Sequence, residues 1–200
     1  MKLIDKDFFT FAIIAPPEHG KTTLAKHLIK EANERMNYDC ILAIAPNGGY
    51  EKLIDEDMIF KSYSHDILKK LIKIHDQDPK LRTLVVFDDT TGFVNFRNKG
   101  AQIFVELITQ MRHKHISLLV ITHYFHYIPP VIRVNLTKLF FFKCSDENII
   151  KSLNKTFCGG VKKNFTYLQT TLLGLEKYQF LVISPFAETN NLFNVGKIVL

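Results

Sequence analysis

The chain has no tryptophan, three cysteines and only five arginines among its 200 residues. Cys40, Cys144 and Cys158 are an odd, scattered set with no CxxC pair, which fits buried thiols in a reducing compartment. No apolar run reaches the length of a membrane span. The longest candidate, Ile116 to Ile132, is interrupted by His123, His126 and the Pro129-Pro130 pair. The apolar start carries Asp5 and Asp7 and lacks a small-residue cleavage site, so no signal peptide is expected. Internal repeats, low-complexity segments and a basic tail are also missing. No Asn-Lys-x-Asp segment follows the pattern of a guanine reader, which disfavours a small GTPase. No nucleophile elbow appears, which disfavours a Ser/His/Asp hydrolase. His113, His115, His123 and His126 crowd one region without a cysteine in the same segment, so a zinc site is disfavoured.

What the chain does have is a 46% hydrophobic composition, enough for one globular domain over residues 1–200 with a proper core. Its net charge of +6, carried mostly by lysine, favours a polyanionic partner. Apolar runs alternate with amphipathic stretches. Strands are expected at 8–15, 40–45, 83–88, 117–122, 138–143 and 179–184. Helices are expected at 21–36, 65–75, 101–114, 146–157 and 163–175. The strands are continuously apolar rather than alternating, as in a sheet covered on both faces. Strand–helix alternation then predicts an α/β fold with a doubly wound, mostly parallel sheet flanked by helices. In such sheets ligands sit beyond the carboxyl ends of the strands, which singles out the loops after Ala15, Ala45, Asp88, Thr122 and Lys143.

The first of those loops carries the clearest chemistry. Ala15, Pro16, Pro17, Glu18, His19, Gly20, Lys21, Thr22 and Thr23 lie between an apolar strand and an amphipathic helix. This is the context a P-loop requires. The amides that open a helix lack intrahelical acceptors and can close around phosphate. Lys21 brings an ammonium to the β and γ oxygens, and the Thr22 hydroxyl suits one Mg²⁺ position. Ala15 stands where the strict pattern has glycine, and the prolines, which lack N–H groups, stiffen the loop's start. ATP and Mg²⁺ are the expected ligands.

A second constellation is Leu84-Val-Val-Phe-Asp88-Asp89, four apolar residues ending in two carboxylates. A buried strand that stops at acidic groups places them at the same sheet edge as the P-loop. Asp88 suits a Mg²⁺ partner acting through water, and Asp89 a general base for an attacking water. The following loop, with Arg97 and Lys99, suits contact with nucleic-acid phosphates.

From Gln110-Met-Arg112-His to Leu118-Leu-Val-Ile-Thr122-His123 and on to Pro129-Pro-Val-Ile-Arg133-Val-Asn135, the chain resembles the poxvirus-type genome-packaging ATPases of the FtsK–HerA superfamily. The resemblance spans about residues 8–185, and the block from Arg112 to Asn135 is its discriminating part. It implies a P-loop NTPase fold of the RecA/FtsK type and a motor that hydrolyses ATP to push double-stranded DNA into a capsid. It also implies a homo-oligomeric ring, a pentamer or hexamer, a capsid or portal-vertex protein as partner, and a location in the viral factory of the host cytoplasm and in the virion. The family's sheet places the strand ending at Thr122 between the P-loop strand and the Asp88 strand. His123 would then be the γ-phosphate sensor, where relatives carry glutamine. A histidine can still donate a hydrogen bond and, unlike glutamine, can carry charge. Arg112 matches the position of an arginine finger reaching a neighbouring subunit, with Arg97 and Arg133 as alternatives. The rival readings are a nucleotide or small-molecule kinase, which the scarcity of arginine argues against, and a nucleotide-gated assembly protein with little turnover.

Overall fold

A computed structural model of the chain describes residues 3–5, 7–90, 101–111, 113–187 and 192–198, with backbone alone at 101–104. In chain order the elements are β1 (Thr10–Ile14), α1 (Lys21–Met36), β2 (Cys40–Ile44), β3 (Ile59–Phe60), α2 (His65–Gln77), β4 (Thr83–Asp88) and α3 (Ala101–Gln110). Then follow β5 (Ile116–Thr122), α4 (Pro130–Arg133), β6 (Lys138–Phe142), α5 (Glu147–Phe157), α6 (Lys162–Gly174), β7 (Gln179–Ile183) and β8 (Phe193–Lys197). The strands form one eight-stranded sheet in the order β3-β2-β4-β5-β1-β6-β7-β8. Every pairing from β3 through β6 is parallel, and β7 and β8 are added antiparallel.

Burial on both faces explains the unbroken apolar strands. Ala12, Ile14, Val85, Phe87, Leu118, Val120 and Phe141 pack under α2, α3, α5 and α6 through Leu68, Leu107, Ile150 and Leu168. The alternate residues Phe11, Ile13, Leu84, Val86, Leu119, Ile121 and Phe140 pack under α1 through Leu24, Leu28 and Ile29. Adjacent strand residues thus serve opposite cores, as the two-residue pleat demands. The cover is uneven: among the described residues α1 is the one helix in the second core, and the loop bearing Tyr50 and Ile54 completes that layer. Local chemistry starts the helices. Ser64 accepts the Asp66 amide at the head of α2, and Asp146 accepts the Asn148 and Ile149 amides at the head of α5.

The expected strands and helices are present to within a few residues at each end. Two strands had no expectation. β3 is two residues long, and β8 is an edge strand whose Phe-Asn-Val-Gly-Lys sequence carries no continuous apolar run. Pro129-Pro130, legible only as an interruption, in fact opens α4 with Pro130 as its first residue, where a missing N–H costs the helix nothing. Among the described residues no helix is long and apolar enough to cross a membrane.

Candidate active site

The strand order decides which loops meet. β5 lies between β1 and β4, with Ile14 opposite Thr122 and Asp88 opposite Ile121. The ladder continues one residue further on each side: the Ala15 amide donates to the Thr122 carbonyl at 3.3 Å and the Asp89 amide to the Ile121 carbonyl at 2.9 Å. Three loops therefore leave the sheet side by side, carrying Lys21, His123 and Asp89.

Between Ala15 and α1 the chain reverses through Glu18 and Gly20, both left-handed with φ of 63° and 94°. Gly20 is the N-cap of α1 and supplies no side-chain acceptor, and the first turn holds no acidic residue. The opening amides of α1 thus face outward beside the positive end of the helix dipole, an arrangement suited to an anion. Gly20 is needed for two reasons. Its φ disfavours any side chain, and a Cβ there would lie 2.7 Å from Tyr178 Cδ1 and 2.9 Å from Ile198 Cδ1. The hairpin of β7 and β8 therefore buttresses the loop from behind.

Lys21 forms an ion pair with Asp89 and lies 2.7 Å from His123 Nε2, and His123 Nε2 is 3.2 Å from the same Asp89 oxygen. His123 Nδ1 donates to the Ala15 carbonyl at 3.0 Å. That bond fixes the tautomer, because a carbonyl can only accept. With the ring neutral, Nε2 accepts from the Lys21 ammonium; with the ring protonated, it donates to Asp89. Asp89 reaches this cluster by turning left-handed at φ 52°, a conformation that costs on the order of 1 kcal/mol for a non-glycine residue. Without that turn its side chain would follow the strand's alternation away from Lys21.

Asp88 is the last residue of β4 and is 8% exposed. Its Oδ2 accepts the Tyr50 hydroxyl at 2.7 Å, and its Oδ1 is buried with no partner among the described residues. Burial raises its pKa above the usual carboxylate value. The Tyr50 hydrogen bond opposes that shift, the Asp89 charge adds to it, and Lys21 and His123 offset it. A buried carboxylate oxygen left over in this way is suited to a hydrated divalent cation, so the residues present fit Mg²⁺. Thr22 is half-buried in the first turn of α1.

Tyr50 is a site residue that the motifs do not mark, although its loop is among those beyond strand ends. One tyrosine has no spacing signal; the Gly48-Gly49 pair before it was the available hint. Ala15 is fully buried with both backbone groups engaged by the end of β5, whereas Pro17 and Glu18 are exposed. Arg133 ends α4 with its guanidinium 5.3 Å from the Phe125 ring centroid. Arg112, Arg97 and Lys99 lie outside the described residues.

Clefts formed by the described residues flank the loop. One of about 260 Å³, on the α1 side, is lined by Thr23, Leu24, His27, Phe180, Lys197 and Ile198. Another, of about 370 Å³, lies toward α5 between Pro17, His123, Tyr124, Lys143 and Asp146.

Residues 1–184 match the family model described as poxvirus A32 protein. No curated protein matches the chain. Among solved structures, the genome packaging NTPase B204 of Sulfolobus turreted icosahedral virus 2, in complex with sulfate, superposes with a TM-score of 0.74 at 14% identity, over 98% of each chain. The same protein in complex with AMPPCP gives 0.73 at 14% identity, over 98% of this chain and 100% of that one. B204 of Sulfolobus turreted icosahedral virus, a DNA-packaging ATPase, gives 0.72 at 17% identity over the same shares. At these identities the likeness establishes a common fold, the mostly parallel P-loop ATPase sheet.

Proposed function

The chain belongs to the poxvirus A32 protein family, and from that premise we propose that it hydrolyses ATP to drive double-stranded DNA into a viral capsid. The observation that carries the reading is the convergence of Lys21, His123 and Asp89 at the head of α1, beside a half-satisfied Asp88. The packaging role named for the B204 proteins, one of them bound to AMPPCP, supports it further.

In this reading the triphosphate seats against the amides of α1, with its nucleoside end in the cleft beside Thr23. Lys21 exchanges the Asp89 carboxylate for β- and γ-phosphate oxygens. That exchange frees Asp89 to accept a proton from the attacking water. His123, held by Ala15 through Nδ1–H, would donate Nε2–H to the γ-phosphate as an imidazolium and register its loss. Thr22 and Asp88 would hold Mg²⁺, the latter through water, and the ion would supply charge neutralisation for the triphosphate. In this reading water is the phosphoryl acceptor, with Asp89 as its base.

The remaining parts of the proposal come from the sequence. Arg112 completes a neighbouring subunit's site in a ring, with Arg97 and Arg133 as the alternatives, and Arg97 and Lys99 contact DNA phosphates. A capsid or portal-vertex protein recruits the ring, in the viral factory or the virion. The test is ATP turnover by purified protein with and without double-stranded DNA. DNA-stimulated hydrolysis that disappears in Lys21→Ala is the expected result. Phosphate transfer to a small acceptor, or no nucleotide binding, would overturn the proposal.

A further inference from the structure

We propose that Tyr50 is the positioning residue for Asp88: it occupies one carboxylate oxygen so that the other is presented to the metal–nucleotide complex. The inference rests on the ATPase reading above and adds a residue that the P-loop and acidic-strand motifs do not contain.

The loop after β2 is built to deliver this side chain. Gly48 donates to the Ala45 carbonyl at 3.0 Å, and Gly48 and Gly49 are both left-handed, at φ 63° and 93°. The Gly49 amide is taken by Glu51 Oε1 at 2.8 Å. The Tyr50 carbonyl then accepts the amides of Leu53 and Ile54 at 2.8 and 3.0 Å. Backbone on both sides of Tyr50 is thus pinned, and its side chain, fully buried, packs in the core under α1.

The chemistry at the tip is one-directional. A carboxylate oxygen accepts, so the phenol is the donor in this pair. Its O–H···O contact of 2.7 Å is a well-formed hydrogen bond, at the long end of the range for a bond to a charged oxygen. A phenol has a single proton to donate, and it goes to Oδ2. The bond restrains the carboxylate's orientation, and Oδ1 is left as the acceptor with no partner among the described residues. A carboxylate free to rotate would present a metal-bound water with two interchangeable oxygens and spend part of its time misaligned.

A tyrosine that only anchored its loop would make the same packing contacts, so the test separates the hydroxyl from the ring. Tyr50→Phe keeps the ring. Mn²⁺ standing in for Mg²⁺, titrated into the complex with AMPPCP and followed by electron paramagnetic resonance, is expected to bind about 10- to 100-fold more weakly in the variant. AMPPCP affinity in EDTA is expected to be unchanged, and kcat to fall with little change in KM. In an Asp88→Asn background, Tyr50→Phe should add no further loss of Mn²⁺ affinity, because its effect passes through that carboxylate. Wild-type Mn²⁺ affinity in Tyr50→Phe overturns the assignment, as does a full additive loss in the double variant. A parent protein that binds no Mn²⁺–AMPPCP overturns the ATPase reading itself.

Discussion

Replacing Gly20 by alanine tests how the closing hairpin shapes the phosphate loop. Two costs are separable. A left-handed backbone costs an L-residue about 1–2 kcal/mol. The new methyl would also meet Tyr178 Cδ1 at 2.7 Å and Ile198 Cδ1 at 2.9 Å, and overpacking of this kind costs about 1–3 kcal/mol. Together these predict a loss of about 2–5 kcal/mol. At roughly 2–4 °C per kcal/mol for a chain of this size, the melting temperature should fall by roughly 4–20 °C. Thermal unfolding followed by circular dichroism reads this directly. Ile198→Ala removes one of the two obstructions, so the double variant should be less destabilised than the sum of the singles by about 1 kcal/mol. The backbone share should persist. A Gly20→Ala protein melting within about 1 °C of the parent, or strict additivity with Ile198→Ala, would refute the reasoning.

Asp88→Asn should abolish hydrolysis yet raise the melting temperature at neutral pH. The folded-state pKa of Asp88 is raised above 3.8, so the native state binds the proton more tightly and loses stability as pH climbs through that window. The variant's advantage should vanish as pH falls toward 3.8, and equal melting temperatures at pH 7.5 would contradict it. His75, buried against Thr83, has the opposite sign. Burial first, then the Lys114 and His115 charges, hold its pKa below 6.5, so the stability it lends is complete above 6.5 and is lost as pH drops through and below that value. His75→Gln should therefore lose less melting temperature than the parent between pH 7.5 and 5; parallel curves would exclude the effect. Arg112→Ala should abolish turnover while leaving ATP affinity nearly intact, and unaltered turnover would remove Arg112 as the finger.

The long apolar strands and the Gly-Lys-Thr turn were legible because each repeats one physical requirement over several residues. Continuous burial marked β1, β4 and β5, and the helix period marked α1. β3 and β8 were not, since two residues carry no period and an edge strand needs only one apolar face. Asp88 and Asp89 could be picked out as a pair and given separate roles, but the geometry that parts their side chains could not be read from sequence. It depends on a left-handed backbone at Asp89 and on a phenol arriving from the loop after β2. The placement of β5 between β1 and β4 came from the family resemblance, as local sequence does not encode strand order. Tyr50 was invisible for the same reason that many supporting residues are: its chemistry is set by what lies across the sheet edge.

The double attachment of Ala15 to the end of β5 has a mechanical meaning. Its amide and carbonyl both hang on that strand, one on Thr122 and the other on the His123 ring. The start of the anion-binding turn and the imidazole beside it therefore move as one stiff lever, with β5 as its arm. A recoil of the turn after the terminal phosphate departs would be transmitted along the centre of the sheet and not dissipated in a loop. On the proposed ATPase reading, the continuation of that arm past Tyr124 is where the departure of the terminal phosphate would first reach the rest of the chain.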